Sequence, residues 1–215
     1  MLTLLRMCRR GVTRGLLAKE EVFRKMLRRY GVSFVVSSLV IFCASAGAQM
    51  VVHAVSGTVK AINPQTNTMD VTVESGATSQ FKLPTNAKVT LDFDRALQSD
   101  SVEASKFEHV GDYVVVYYYG YDDDRTAVAV KDLGAGPFQK VEGTVLSYDK
   151  HGRTMTVKDD AGKSQTFELN DHVVVDSGMS VASGRGYDPH KGYHVTVTYA
   201  PAGTTNTAVF IRSRQ

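Results

Sequence analysis

The sequence predicts an all-β protein, two small barrels in tandem behind an apolar leader. Three observations carry that expectation. The body of the chain is one module written twice, the module divides into short strands of period two, and the composition leans towards β-structure, with ten Tyr, no Trp and 43% hydrophobic residues among 215.

The leader comes first. Residues 1–48 hold nine of the 25 Lys/Arg and two of the 22 Asp/Glu, which leaves sixteen basic and twenty acidic residues in the body. The formal net charge of +3 therefore conceals an acidic body. Nucleic acid is not an expected partner, because binding it rests on neutralising phosphates. Within "KMLRRYGVSFVVSSLVIFCASAGAQ" a basic segment precedes an apolar run from Val32 to Cys43 and a small-residue exit, Ala46-Gly47-Ala48. That is the pattern of a secretory signal peptide, with cleavage after Ala48 and a periplasmic or secreted product. The apolar stretch approaches the roughly 20 residues of a full span, so the alternative is an inner-membrane anchor, the only contact with a membrane the sequence suggests. Met26 offers a second start, so residues 1–25 read either as sequence ahead of the true start or as a short cytoplasmic extension. Phe42, not a small residue, precedes Cys43 and argues against a lipoprotein site. Cleavage would remove both Cys8 and Cys43, so no disulfide is expected.

The body repeats without gaps. "VSGTVKAINPQTNTMDVTVESGATSQFKLPTNAKV" begins at Val55 and "VEGTVLSYDKHGRTMTVKDDAGKSQTFELNDHVVV" at Val141. Shared residues include Gly57/Gly143, Val59/Val145, Met69/Met155, Val71/Val157, Phe81/Phe167 and Leu83/Leu169. After a connector that is shorter in the second copy, Gly111-Asp112-Tyr113-Val114 meets Gly192-Tyr193-His194-Val195, and "AVAVK" meets "AVFIR". The expected division is residues 49–132 for the first repeat, 133–140 for a Gly-Pro linker and 141–215 for the second.

In each copy the strands run "SGTVKAI", "TMDVTV", "QFKL" and "KVTLDF" or their equivalents. Alternation places Val59, Ala61, Met69, Val71, Val73, Phe81 and Leu83 on one side. The first connector, "DRALQSDSVEASKFEH", allows a short helix; the second, "SGMSVASGRGYDPHKG", is Gly-rich and reads as a loop. A closing hairpin follows, "YVVVYYYGY", the turn "DDDR" and "TAVAV". Such a set suits a closed barrel of the oligonucleotide/oligosaccharide-binding (OB) type, because closure removes exposed strand edges.

The motif "GTV…TM.V…G….F.L…V" with a later "GD.V.V…A..V" resembles a family of bacterial domains of unknown function found in exported proteins, often in tandem. The resemblance covers residues 53–131 and 140–213 and implies export and a small barrel, with no activity attached. The opening strand "GTVKAI" is also similar to that of periplasmic copper and silver chaperones, which hold metal with a His, methionines and a Trp. This chain has no Trp, and Met69 and Met155 alternate with the core set. That metal chemistry is not expected to transfer.

The repeat provides an internal control for the tyrosines. In "YHVTVTYA", Val195, Val197 and Tyr199 form the core face, which makes Val114, Val116 and Tyr118 core in the first copy. Tyr113, Val115, Tyr117, Tyr119 and Tyr121 then face the other way, where the second copy has His194, Thr196, Thr198 and Ala200. Two explanations follow. The face packs against the second copy, the connector or another subunit, since aromatics dominate buried contacts; or Tyr113, Tyr117, Tyr119 and Tyr121, with Asp122, Asp123 and Asp124, form a platform for an envelope protein or a glycan. Asp122–Asp124 read as a solvated turn, since three adjacent Asp lack the spacing of a calcium loop. His190 and His194 sit four apart at a Pro-containing turn, not on a helix, and "SGRGYD" lacks the strand-to-helix setting of a phosphate cradle. No cofactor is expected and no G-x-S-x-G signature is present, which leads to a non-enzymatic reading. The ordering of functions is an exported interaction or ligand-binding module, then a purely structural protein whose tyrosines are buried, then a metal-handling protein.

Overall fold

Two rings of five strands, built on one plan, make up the body. The computed structural model describes residues 52–84, 94–201 and 206–214. The leader with its expected cleavage point, and the segment 88–93 read above as a strand, lie outside the described residues. Among the described residues no helix is long and apolar enough to cross a membrane.

The first ring contains β1 (His53–Asn63), β2 (Thr68–Val73), β3 (Thr78–Lys82), β5 (Tyr113–Tyr119) and β6 (Thr126–Asp132). Between β3 and β5 lie the helix α1 (Arg95–Ser99) and the short strand β4 (Val102–Glu103). Neighbours pair antiparallel in the order β3-β2-β1-β5-β6, and a parallel contact between β3 and β6 closes the ring. The Lys82 amide donates to the Arg125 carbonyl at 2.9 Å across that closure. The second ring repeats the plan with β7 (Gln139–Asp149), β8 (Thr154–Asp159), β9 (Ser164–Glu168), β12 (His194–Ala200) and β13 (Asn206–Arg214), closed by parallel β9 and β13. This five-stranded closed order is that of an OB-type barrel.

Identity of plan extends to backbone detail. The Asn63 side chain accepts the amides of Gln65 and Thr66, and Asp149, its equivalent, accepts those of His151 and Gly152. Both are turns in which a short carboxyl or amide side chain replaces a backbone acceptor. Each turn ends on a residue of left-handed backbone, Asn67 in one copy and Arg153 in the other. Both barrels also carry a bulge in the first strand, with Lys60 or Leu146 as the extra residue.

That bulge corrects the period-two reading. Val59, Met69, Val71, Phe81 and Leu83 are buried as expected, but Ala61 is exposed and Ile62 packs inward. One unpaired residue reverses the phase of everything after it. The second connector is corrected too: it is not simply a loop, for β11 (Val181–Ser183) pairs with β10 (Val174–Asp176), which lies parallel beside β13. In the first connector the short helix is present, and its N-terminus is capped by Asp94, whose side chain accepts the Ala96 amide at 2.9 Å.

Among the described residues three apolar clusters form. One fills each barrel, with Met69 and Met155 fully buried in them. The third lies between the barrels and joins Val52, Ala54, Leu97, Val115, Tyr117, Val128 and Ala129 to Val174, Val181 and Phe210 of the second copy. Residues Gln49–Gln215 accordingly form one compact unit.

Polar contacts frame this seam. Lys131 and Arg212 occupy equivalent positions in "AVAVK" and "AVFIR", and each crosses to a backbone carbonyl of the other copy. Lys131 donates to the His172 carbonyl at 2.6 Å and Arg212 to the Ala54 carbonyl at 3.3 Å. Lys131 also donates to Asp100 at 3.1 Å, and His172 lies against the same carboxylate. Asp94 uses its second oxygen to accept the amide and hydroxyl of Ser183. Hydrogen bonds to charged groups are among the stronger ones, about 1.5–3 kcal/mol each before exposure reduces them.

Candidate functional site

The tyrosine face divides into buried and exposed parts, and the division decides what can touch a ligand. Tyr117 has 0% exposure and belongs to the seam cluster, so it cannot form part of a partner platform. Tyr119 is half-buried against the same cluster. Tyr113 is half-buried, its hydroxyl donating to Ser56 at 3.2 Å and its ring tilted against Phe138 at 4.8 Å. The platform reading therefore loses Tyr117, while Tyr113 and Tyr119 keep only part of their surface for a partner: burying apolar area between the copies outweighs presenting it to solvent. The threonine face of the second copy is also inside the seam, with Thr196 and Thr198 buried and Thr198 donating to Glu74 at 2.9 Å.

Tyr121, 71% exposed, and the three aspartates remain accessible. Asp122–Asp124 form a single 3-10 turn joining β5 to β6, as a solvated turn should. Asp124 pairs with Lys82, which holds its carboxyl below the usual carboxylate range. Asp122 and Asp123, together with Thr78, Ser79, Gln80 and Arg125, line a polar depression of about 400 Å³.

A second depression, of about 460 Å³, shares Ser79 and Arg125 with the first and runs along the junction of the two barrels. His53, Val73, Ser75, Tyr118 and Arg125 line it from the first copy, Asp176, Gly178 and Arg212 from the second. The β2–β3 hairpin and the β5–β6 turn supply most of one wall, so the barrel's own closure positions Ser79 and Arg125. The β10 strand and β13 supply the other.

The electrostatics of this cleft are asymmetric. Arg125 donates to Ser79 at 3.0 Å and lies over the Tyr118 ring at 5.9 Å. Arg212 lies over Phe210 at 5.7 Å and donates to the Ala54 carbonyl. Among the described residues neither guanidinium is paired with a carboxylate. The one carboxylate in the wall, Asp176, is already engaged, accepting the Ala54 amide at 3.0 Å and the Gly178 amide at 2.7 Å. Two planar cations from different barrels thus face one cleft with N–H groups to spare, the donor geometry that suits carboxylate and phosphate oxygens.

Aromatic rings complete the rim. His53 lies 5.7 Å from Tyr118 and 5.8 Å from Tyr121, centroid to centroid. Tyr118 also packs edge-on against Phe81 at 5.2 Å, half in the barrel and half in the cleft, and burial raises its phenol above the ordinary value. No protein-family model matches the chain and no curated protein is significantly similar to it, so the chemistry of the cleft has to come from its own residues.

Of the seven residues singled out from the sequence, none lines the cleft itself: Asp122 and Asp123 line the neighbouring depression, Tyr121 meets the cleft only through its contact with His53, and Tyr113, Tyr117, Tyr119 and Asp124 lie outside both. Sequence reasoning missed His53, Tyr118, Arg125, Asp176 and Arg212. One signal was present: "AVAVK" and "AVFIR" both end on a cation at the same place in a strand, which no barrel core requires.

Proposed function

We propose that the chain is an exported, non-enzymatic envelope module that captures an anionic glycan in the cleft between its two barrels. The observation that carries this reading is the convergence of Arg125 and Arg212, neither paired with a carboxylate, on one cleft. A carboxylate- or phosphate-bearing sugar would receive two guanidiniums, while the exposed Tyr121 ring beside His53 offers a face for the sugar's C–H groups. The expected export in the leader places such a ligand within reach.

The test is calorimetric titration of the full chain with tetragalacturonate, against neutral cellotetraose as the control. The expected result is saturable binding of the acidic sugar alone, weakened at least about tenfold by Arg125→Ala, as the loss of one charge-assisted contact of about 1.4 kcal/mol implies. Equal affinity for the neutral sugar, or an unchanged affinity in the variant, overturns the reading.

A second reading, a purely structural two-barrel protein, draws its support from Tyr117. That residue is the largest fully buried side chain among the described residues and sits in the seam. On this reading the same titration gives no heat with either sugar.

A further inference from the structure

Away from the cleft, three side chains of the first barrel converge on one point. His109 lies in the loop leading to β5, Asp112 immediately precedes that strand, and Asp132 ends β6. The His109 Nδ1 is 2.9 Å from an Asp132 carboxylate oxygen and 3.5 Å from one of Asp112. One donor atom from each residue lies within 4.8 Å of the other two.

Contacts outside the trio orient each member. The second oxygen of Asp132 accepts the Gly134 amide at 2.9 Å. The His109 ring stands edge-on to Phe107, which is buried in the barrel core, at 5.5 Å. The Asp112 carbonyl accepts the Val59 amide at 3.0 Å, which pins its backbone to β1. The donors are thus arranged before any ligand arrives, while the His109 side chain is 67% exposed and open to solvent.

The second barrel shows that this arrangement is not needed to close the fold. By the register of the repeat, His109, Asp112 and Asp132 correspond to His190, Tyr193 and Ser213. The imidazole is kept, but both carboxylates are replaced, and His190 packs edge-on against Tyr193 at 5.3 Å instead. Ser213 is buried and accepts the Tyr187 hydroxyl at 3.0 Å. An equivalent barrel therefore forms without the two charges that the first copy places side by side.

Two carboxylates and one imidazole nitrogen demand positive charge between them. A proton on His109 supplies one unit, and Glu108 adds a third negative charge nearby. A divalent ion supplies two. Tetrahedral coordination at about 2.0–2.2 Å separates neighbouring ligand atoms by roughly 3.3–3.6 Å, a spacing near the two His109–carboxylate distances of 2.9 and 3.5 Å.

We propose that His109, Asp112 and Asp132 form a binding site for a divalent transition-metal ion, held on one side by an imidazole nitrogen and two carboxylate oxygens and on the other by water. The mixed nitrogen and oxygen set, without thiolate, suits zinc and its neighbours. This site is separate from the glycan cleft, whose lining includes none of the three.

The test is titration of the full chain with zinc chloride in a non-chelating buffer at pH 7.5, read by calorimetry and by the imidazole NMR signals. One equivalent is expected to bind, with the His109 ring signals moving and the His190 signals unmoved. Asp112→Asn and Asp132→Asn should each weaken binding at least about tenfold, and acidification to pH 5 should abolish it as the proton reclaims the imidazole. His190→Ala should bind zinc as the parent does. Asn keeps the oxygen that accepts the Gly134 amide, and an unchanged circular dichroism spectrum verifies that the variants are folded. Absence of binding by the parent, or parental binding by the folded Asp112→Asn/Asp132→Asn variant, overturns the proposal.

Discussion

Tyr117 of the first barrel and Phe210 of the second lie in the same apolar cluster, each with no exposed surface. The two rings are each closed on themselves, so among the described residues their union rests on side chains outside the rings, from β1, α1, β5 and β6 of the first copy and β10, β11 and β13 of the second. A tyrosine on a barrel exterior is therefore part of a core, and the cleft exists because that core fixes the two walls together.

Replacing Tyr117 by Ala should cost about 3–5 kcal/mol, the usual range for deleting a large aromatic from a packed site. Replacing Tyr121 should fall within about 0.5 kcal/mol of neutral, as for an exposed side chain. Urea denaturation of both variants measures the contrast. A loss below about 1 kcal/mol for Tyr117→Ala would show that the barrels do not depend on the seam.

Gly57 and Gly143 are equivalent, and both are places where a strand passes close to its neighbour. A Cβ on Gly57 would lie 2.3 Å from the Thr72 carbonyl oxygen, and one on Gly143 would lie 2.2 Å from that of Lys158. Backbone, not a flexible side chain, would have to move. Gly57→Ala and Gly143→Ala should each destabilise by about 1–3 kcal/mol, the usual penalty of overpacking, seen as a lowered Tm. An unshifted Tm in either variant would mean the strands separate freely.

The barrels were legible in the sequence because period two and the repeat both report on the inside of a closed sheet: Val59, Met69, Val71 and Phe81 alternate as a core face must. Ala61 was misplaced because a bulge leaves no mark in the hydrophobic pattern until the partner strand is known. The cleft was illegible for a different reason. Arg125 follows three aspartates in the chain and looks compensated by them, yet in space it meets Ser79 and Tyr118. Arg212 belongs to the other barrel, and nothing local to either segment shows that they meet.

The seam should be acid-sensitive in a defined window. Ser183 donating to Asp94, and His172 donating to Asp100 with Lys131 beside it, hold both carboxyls below the ordinary value of 3.8. A depressed carboxyl contributes stability that is complete above its unfolded value and is lost as pH falls through the folded one. Stability should therefore hold down to about pH 4 and decline below it. In Asp94→Asn and Asp100→Asn the slope of unfolding free energy against pH should be shallower between about pH 4 and 2. A parental slope in both variants would remove these residues from the acid response.

Arg125 and Arg212 should separate in one respect. Both face the cleft, but only Arg212 reaches across to a carbonyl of the other barrel. Arg125→Ala should weaken capture of an acidic sugar with little change in stability, because its neighbours Ser79 and Tyr118 belong to the same barrel. Arg212→Ala should do the same and also cost about 1 kcal/mol of stability through the lost seam bond. Raising salt from about 0.01 M to 0.15 M contracts the screening length from roughly 30 Å to 8 Å, so parental affinity should fall over that range and fall less in either variant. Calorimetry at the two salt concentrations, with urea denaturation in parallel, measures both effects. Equal salt dependence in parent and variants would show that the guanidiniums do not contact the anion.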